Sequence, residues 1–134
     1  MVASRRWTAT QSYTGLKVAL RIIDSWQATP QQACRILRIS PATYRRVSSN
    51  QVAGRRLDLD QLQRVGFVLG IHATLRTVFT NPENFQGFPR YKNDNEFFEG
   101  RSPLEIMAQG DMISLYETYK RIEQLKALIW SSSA

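Results

Sequence analysis

Apolar residues recur at helical spacing through most of this chain. The clearest stripes run over Gly15–Trp26, Asp60–Thr80 and Asp111–Trp130, with charged residues off the stripe in the first of them. This spacing is typical of amphipathic helices that bury one face. No stretch of the sequence alternates apolar and polar residues in the way a half-buried strand would. The pattern therefore predicts an all-α fold.

Helix starts are marked by a capping side chain followed by proline. The pairs are Thr29-Pro30, Ser40-Pro41, Asn81-Pro82 and Ser102-Pro103, and Asp58 marks a further start. Ser102 is also followed three residues later by Glu105, which predicts a capping box. Gly100 permits a turn before this short helix, and Gly110 ends it.

Other segments lack these signals. Residues 1–14 show no sustained periodicity and predict a loose arm, and residues 131–134 predict a frayed end. Residues 86–96 predict a loop that is longer than a usual joint and rich in aromatic and polar side chains, which favours a functional role.

The segment from Gln32 to Val47 predicts a helix-turn-helix. One helix ends near Leu37, a short joint follows, and a second helix starts at Pro41. Leu37, Ile39 and Tyr44 would hold the corner, and Cys34 would occupy the small-residue position between the helices. The side chains expected to face DNA are Ser40, Ala42, Thr43, Arg45 and Arg46. The alternative is an ordinary helical hairpin with a basic face.

This segment resembles the helix-turn-helix of Xre-type and Cro-type repressors, in which Ser40 and Thr43 occupy favoured positions. Arg38 stands in the turn where that family usually has glycine. Because a left-handed conformation is strained for arginine, we expect the turn to be reshaped.

Charge divides the chain into two parts. Residues 1–57 hold ten Arg and Lys residues against one acid, a net charge of +9, whereas residues 58–134 hold eight against ten, a net charge of −2. The division predicts a basic, DNA-facing module at 1–57 and a second domain with another role at 58–134. A basic surface can also be no more than a solvated face.

The helix predicted at 60–80 is apolar on more than one face, so it needs partners on several sides. In a chain of 134 residues one partner would be a second copy, which predicts a homodimer. Gly66 and Gly70 would allow a close helix approach. We expect His72, in the same helix, to be a packed or hydrogen-bonded histidine.

Several classes of function find no support in the residues. One His and one Cys, both in predicted helices, give no nucleophile–base pair, no zinc cluster and no catalytic residue. There is no glycine-rich phosphate loop, so no cofactor or metal is expected. No apolar run reaches the length of a membrane span, and a single cysteine suits a reducing cytoplasm. We therefore predict a cytoplasmic protein that is not an enzyme.

The second half resembles the toxin-binding domain of the Xre–MbcA–ParS antitoxin family. The resemblance covers about 60–128 and is carried most specifically by Gly100-Arg101-Ser102-Pro103-Leu104-Glu105, with Asn81-Pro82-Glu83, Gly110 and Leu115. The order of parts, a helix-turn-helix followed by this domain, is also that of the family's antitoxins.

The resemblance implies a cytoplasmic bacterial antitoxin of type II. It would bind operator DNA and block a RES-domain toxin, which consumes NAD, or a related toxin that transfers ADP-ribose. The antitoxin would cover the toxin's active site. The residues expected to reach the toxin are Phe98, Arg101, Glu105, Lys126, Ile129 and Trp130. Trp130 could equally pack on its own domain. The alternative function is that of a dimeric helix-turn-helix transcriptional regulator with no toxin partner.

Overall fold

A computed structural model describes residues 7–51, 56–93 and 97–133, and the side chains of residues 7–51, 56–93 and 97–128. The α-helices are α1 (Ala9–Ser25), α2 (Pro30–Leu37), α3 (Pro41–Ser48), α4 (Leu59–Val78), α5 (Pro82–Gly87), α6 (Pro103–Met107) and α7 (Met112–Ser133), with a 3-10 turn at Phe88–Arg90. The described ranges hold no strand. The predicted all-α fold is confirmed.

The predicted helix starts are confirmed one by one. Thr29, Ser40, Asp58, Asn81 and Ser102 each accept a hydrogen bond from a backbone N–H in the first turn of the helix that follows. These caps satisfy donors that have no partner inside the helix. They succeed as predictions because each depends on residues only two or three positions apart.

Two predictions about the chain ends were wrong. The arm predicted at 1–14 is helical from Ala9 onward, because Thr8 and Gln11 form a capping box and the Trp7 ring lies over Gly15. Residues 1–6 lie outside the described chain. At the other end α7 continues to Ser133, so the backbone there is not frayed, and Ala134 is not described.

The prediction of a loop over residues 86–96 is also partly wrong. Gly87 belongs to α5, and Phe88–Arg90 form the 3-10 turn. Phe88 packs against Phe79 at the end of α4, with ring centroids 5.7 Å apart. Residues 94–96 lie outside the described chain.

Helix α4 is shared by both halves of the molecule. It packs against α1 and α2 of the basic half and against α5 and α7 of the second half. It runs parallel to α7, since Phe67 meets Tyr116 and Thr74 donates to Glu123 further along both helices. Its fully buried side chains are Val65, Val68, Ile71 and Leu75. The predicted division between 57 and 58 stays a prediction, and α4 joins the two parts through one core.

Of the two glycines predicted to allow close helix approach, one does so within the chain. A Cβ on Gly70 would lie 2.8 Å from Cε1 of Tyr119 on α7. Tyr119 is itself held, because its ring packs against Phe67 at 5.1 Å. Gly66 is exposed, and a Cβ there would have nothing within 4 Å. Close approach at Gly66 is therefore not seen inside this chain.

These two glycines give a matched test of the α4–α7 contact. We expect Gly70→Ala to be less stable than Gly66→Ala by about 1–3 kcal/mol, since only the first forces a methyl group into a packed ring. Both substitutions gain the same helix propensity, about 1 kcal/mol, so that contribution cancels in the comparison. Urea denaturation of the two variants measures the difference. Equal stabilities would mean that Tyr119 moves aside at no cost.

No helix within the described residues is long and apolar enough to cross a membrane.

Candidate DNA-binding and partner-binding surfaces

The helix-turn-helix is built from α2, a short turn and α3. Thr29 and Gln32 cap α2 reciprocally, and the Ser40 hydroxyl oxygen accepts from the Thr43 N–H at 3.1 Å to start α3. Leu37 and Ile39 are buried at the corner, as predicted, and Tyr44 is half-buried against the core. Local capping and this apolar corner together fix where α3 begins.

The turn departs from prediction at Arg38. We expected the turn to be reshaped, but Arg38 adopts the left-handed conformation that glycine usually provides, with φ 54°. Two carboxylates at the start of α4 bind its side chain. Nε donates to Asp60 at 2.5 Å, and one terminal guanidinium nitrogen donates to Asp58 at 2.8 Å. These contacts compensate for a backbone conformation that arginine disfavours.

Cys34 was expected to occupy the small-residue position between α2 and α3. Its side chain is only half-buried, whereas Ala33 is the small residue buried in α2. Burial raises the pKa of the Cys34 thiol, opposed by the positive charge of Arg45 nearby. A protonated thiol is a weak nucleophile.

The five side chains predicted to face DNA differ in exposure. Ser40, Arg45 and Arg46 are exposed, and Ala42 and Thr43 are half-buried. The Ser40 hydroxyl also donates to the Thr43 side-chain oxygen at 3.0 Å, so both groups are engaged in capping α3. The two arginines therefore offer the more available donors, and contact with DNA by all five residues stays a prediction.

Arg56 adds a basic group that the sequence did not single out. It lines a cleft of about 470 Å³ together with Ser40 and Thr43 from the start of α3 and Arg46 from its last turn. Arg46 and Arg56 are ten residues apart in the chain, and the fold brings both to one cleft. The basic surface beside α3 is thus wider than the helix-turn-helix motif itself.

Arg64 was also missed, although it is the most engaged charged side chain in the described chain. It is 4% exposed. Its Nε donates to Asp60 at 2.9 Å, and one terminal nitrogen donates to the carbonyl oxygens of Arg35 and Ile36 at 3.3 Å and of Gly110 at 2.8 Å. Two of these carbonyls belong to the last turn of α2, where helices lack internal partners.

Arg64 therefore bridges three elements. It satisfies the end of α2 in the basic half, lies on α4, and holds the glycine between α6 and α7. Gly110 has φ +94°, as predicted for a residue that ends a helix. A single guanidinium thus ties the helix-turn-helix to the second half of the chain.

The Phe98–Arg101 turn has the geometry that Gly100 predicts. Glu99 and Gly100 both have positive φ, 51° and 79°, and the Arg101 N–H donates to the Phe98 carbonyl at 2.9 Å. Positive φ at both central residues is the mark of a type I′ turn. Asn93 binds the same turn through backbone hydrogen bonds to Gly100 and Arg101.

The capping box predicted at the start of α6 is present. Glu105 accepts from the Ser102 N–H at 3.0 Å and donates its own N–H to the Ser102 hydroxyl at 3.1 Å. The hydrogen bond from the Ser102 backbone holds the pKa of Glu105 below its usual value, and the positive charges of Lys92 and Arg101 act in the same direction. Glu105 is exposed and ionised at the surface of this turn.

Phe98 does not sit where a toxin contact would need it. It is 2% exposed and packs edge-to-face on Phe97 at 5.0 Å. In this conformation Phe98 is part of the packing under the turn. This corrects the expectation that its side chain reaches the toxin. Arg101, half-buried, donates its Nε to the Phe98 carbonyl at 3.3 Å.

Phe97, which precedes this turn, lies beside the middle of α7. Arg121 stacks over the Phe97 ring at 5.2 Å, and Lys126 follows five residues later, about 8 Å along the helix axis. Lys126 is partly exposed and pairs with Glu123 at 3.2 Å. The side chains of Ile129 and Trp130 lie outside the described part, so their role stays a prediction.

His72 is a packed histidine. Its ring meets Phe85 edge-on at 6.0 Å, and its Nδ1 is buried without a hydrogen-bond partner among the described residues. Burial, with the nearby charge of Arg76, holds the pKa of His72 below its usual value. Within the described ranges no His, Cys, Asp and Glu side chains cluster in a way that could hold a metal ion.

Comparison with known proteins places the first part of the chain in a recognised class. The family model for the antitoxin Xre-like helix-turn-helix domain matches residues 9–70, from the start of α1 into α4. The uncharacterized protein y4oB of Sinorhizobium fredii is 30% identical over 108 residues, which cover 81% of each chain. No solved structure matches. The chain therefore belongs to the same family as y4oB, and its residues 9–70 are similar to the antitoxin Xre-like helix-turn-helix domain.

Proposed function

We propose that this protein is the antitoxin of a type II toxin–antitoxin system, which binds operator DNA through α3 and blocks a RES-domain toxin with its second half. The observation that carries the proposal is the antitoxin Xre-like helix-turn-helix domain, with Arg45 and Arg46 exposed on its second helix. The chain itself performs no chemistry in this proposal. It acts by binding operator DNA and by covering the toxin's active site.

DNA binding is supported by charge and by placement. Residues 1–57 carry a net charge of +9, and basic groups gain affinity by releasing counterions from the phosphate backbone. Arg46 and Arg56 share the cleft beside the start of α3, which is the end of a recognition helix that meets base edges. The test is fluorescence anisotropy with the DNA upstream of the chain's own reading frame, where binding should weaken steeply as salt rises.

Toxin binding is proposed for two groups of exposed or half-buried side chains in the second half, which together are called the toxin surface. Glu105 and Arg101 lie at the start of α6, and Lys126 and the 64% exposed Leu128 lie on α7. This surface belongs to the part that resembles the toxin-binding domain of Xre–MbcA–ParS antitoxins. A RES-domain toxin binds NAD, so its pocket needs basic groups for the pyrophosphate, and the −2 charge of residues 58–134 suits that neighbour. Neutralisation would be steric.

A charge reversal at Arg101 tests the toxin surface. We expect Arg101→Glu to weaken toxin binding by about 2 kcal/mol, which is about thirtyfold, because the guanidinium proposed to contact the toxin is replaced by a group that donates no hydrogen bond. Removing residues 126–134 should also release the toxin. Co-expression with the toxin from the neighbouring reading frame, scored by growth and cellular NAD, measures the effect.

Arg21→Glu is the matched control for that experiment. It makes the same change of charge on an exposed residue of α1, away from the proposed surface, and should leave neutralisation intact. Full protection by Arg101→Glu and by the truncated chain would move the toxin contact elsewhere.

We also propose a homodimer. Ile113 is 73% exposed and Tyr116 is 41% exposed on α7, and Leu59 is 54% exposed on α4. Exposed apolar side chains grouped on two adjoining helices favour a protein partner, and a second copy would cover the glycine face at Gly66. Sedimentation at several concentrations separates a dimer from a monomer.

A transcriptional regulator without a toxin partner is the alternative, because the helix-turn-helix supports DNA binding equally in both cases. The two are separated by co-purification with the product of the neighbouring reading frame. Capture of a RES-domain protein favours the antitoxin, and a chain that binds DNA but no such protein favours the regulator.

A further inference from the structure

Side chains at the start of α4 bind the turn of the helix-turn-helix. Arg38 is held at three points: its side chain binds Asp58 and Asp60, and its carbonyl accepts from Nε2 of Gln61 at 3.0 Å. Ser40, which starts α3, follows two residues later. The place from which α3 leaves the turn is therefore set by side chains that lie outside the helix-turn-helix motif.

Asp60 is the centre of this arrangement. Its Oδ2 accepts from Nε of Arg38 at 2.5 Å and from Nε of Arg64 at 2.9 Å. Arg64 in turn binds the last carbonyls of α2. Burial works to raise the pKa of Asp60, but its hydrogen bonds with Arg38 and Arg64 and their charges hold that pKa below its usual value. One ionised carboxylate thus joins the turn to the end of α2.

We propose that Asp60 is a positioning residue for operator recognition: through Arg38 and Arg64 it fixes the orientation of α3, although it does not touch DNA itself. This inference rests on the proposed DNA binding by α3. Recognition of base edges needs side chains held within a fraction of an ångström, whereas attraction to phosphates tolerates misplacement. The loss should therefore appear in specificity more than in total affinity.

Charge and positioning predict opposite results for Asp60→Ala, which makes the test sharp. Removing a negative charge that lies beside the DNA-binding half should tighten binding to any duplex. Loss of positioning should instead weaken binding to the operator. Asp24→Ala is the matched control, because it removes the only acid of residues 1–57 from an exposed site on α1.

The experiment compares affinity for two duplexes, the DNA upstream of the chain's reading frame and a shuffled duplex of the same composition, by fluorescence anisotropy. For Asp60→Ala we expect the preference for the upstream duplex to fall about tenfold, the loss of one good base contact. For Asp24→Ala we expect the preference to be unchanged while both affinities rise. Circular dichroism confirms that each variant is folded at the temperature used.

Arg38→Gly provides a second variant if Asp60→Ala fails to fold. Glycine accepts the left-handed conformation without strain, so the fold is kept while the contacts with Asp58 and Asp60 are lost. The same fall in preference supports the proposal. An Asp60→Ala variant that behaves like Asp24→Ala, or an unchanged preference in a folded Arg38→Gly, overturns it. A wild-type chain with no preference for the upstream duplex removes the proposed DNA recognition itself, and this inference with it.

Discussion

Replacing Arg64 with Met should lower the free energy of unfolding by about 3–5 kcal/mol. Met keeps most of the volume of the side chain, so the cavity contribution is small. The loss comes from carbonyl oxygens of Arg35, Ile36 and Gly110, which lose the guanidinium that binds them; the hydrogen bond to Ile36 is buried and the other two are partly buried. An unsatisfied buried acceptor costs about 1–3 kcal/mol.

Urea denaturation of the wild-type chain and the variant measures this loss. Arg76→Met is the control, since Arg76 is exposed on the same helix and makes one contact over the Phe85 ring at 5.8 Å. That variant should lose no more than about 1 kcal/mol. Similar losses in the two variants would show that water replaces the guanidinium of Arg64 and that its hydrogen bonds add little.

The helix starts could be predicted from the sequence because capping is local chemistry. Ser102 and Glu105 satisfy each other across three residues, and no distant part of the chain decides whether they do so. The helical class follows for the same reason. The prediction failed at Ala9, where Thr8 and Gln11 form the same kind of box without a proline to mark it.

Arg64 and Arg38 could not be predicted in this way. The carbonyl partners of Arg64 lie 28 to 46 residues away, and the carboxylates that hold Arg38 are 20 and 22 residues distant. A charged residue inside an apolar stripe does carry a signal, since a buried arginine needs several acceptors. The spacing alone does not say which carbonyls supply them.

Phe98 shows a different limit of prediction from the sequence. Its neighbours correctly predicted a turn, but which side of the turn faces the protein depends on packing. Phe98 is buried against Phe97, whereas the resemblance had implied a side chain that reaches the toxin. The turn chemistry was readable from the sequence, and the direction of the side chain was not.

Arg45→Ala and Arg46→Ala, made separately, should each weaken binding to the upstream duplex by about 1–3 kcal/mol. This corresponds to a loss of affinity of about five- to 150-fold. Both side chains are exposed on α3, so neither substitution leaves a buried group without a partner, and the fold should be kept. Arg76→Ala removes the same charge from α4, in the second half of the chain, and should change DNA affinity little.

The salt dependence of binding separates the two roles an arginine can have. If Arg46 binds a phosphate from the cleft that it shares with Arg56, its loss should weaken operator and shuffled duplexes alike and lower the salt slope by about 1. If Arg45 binds a base edge, its loss should relax specificity at one position and leave that slope nearly unchanged. Toxin neutralisation should survive both substitutions, because α3 lies outside the proposed toxin surface. Unchanged affinity and an unchanged slope in both variants would mean that the basic half of this chain does not meet DNA through α3.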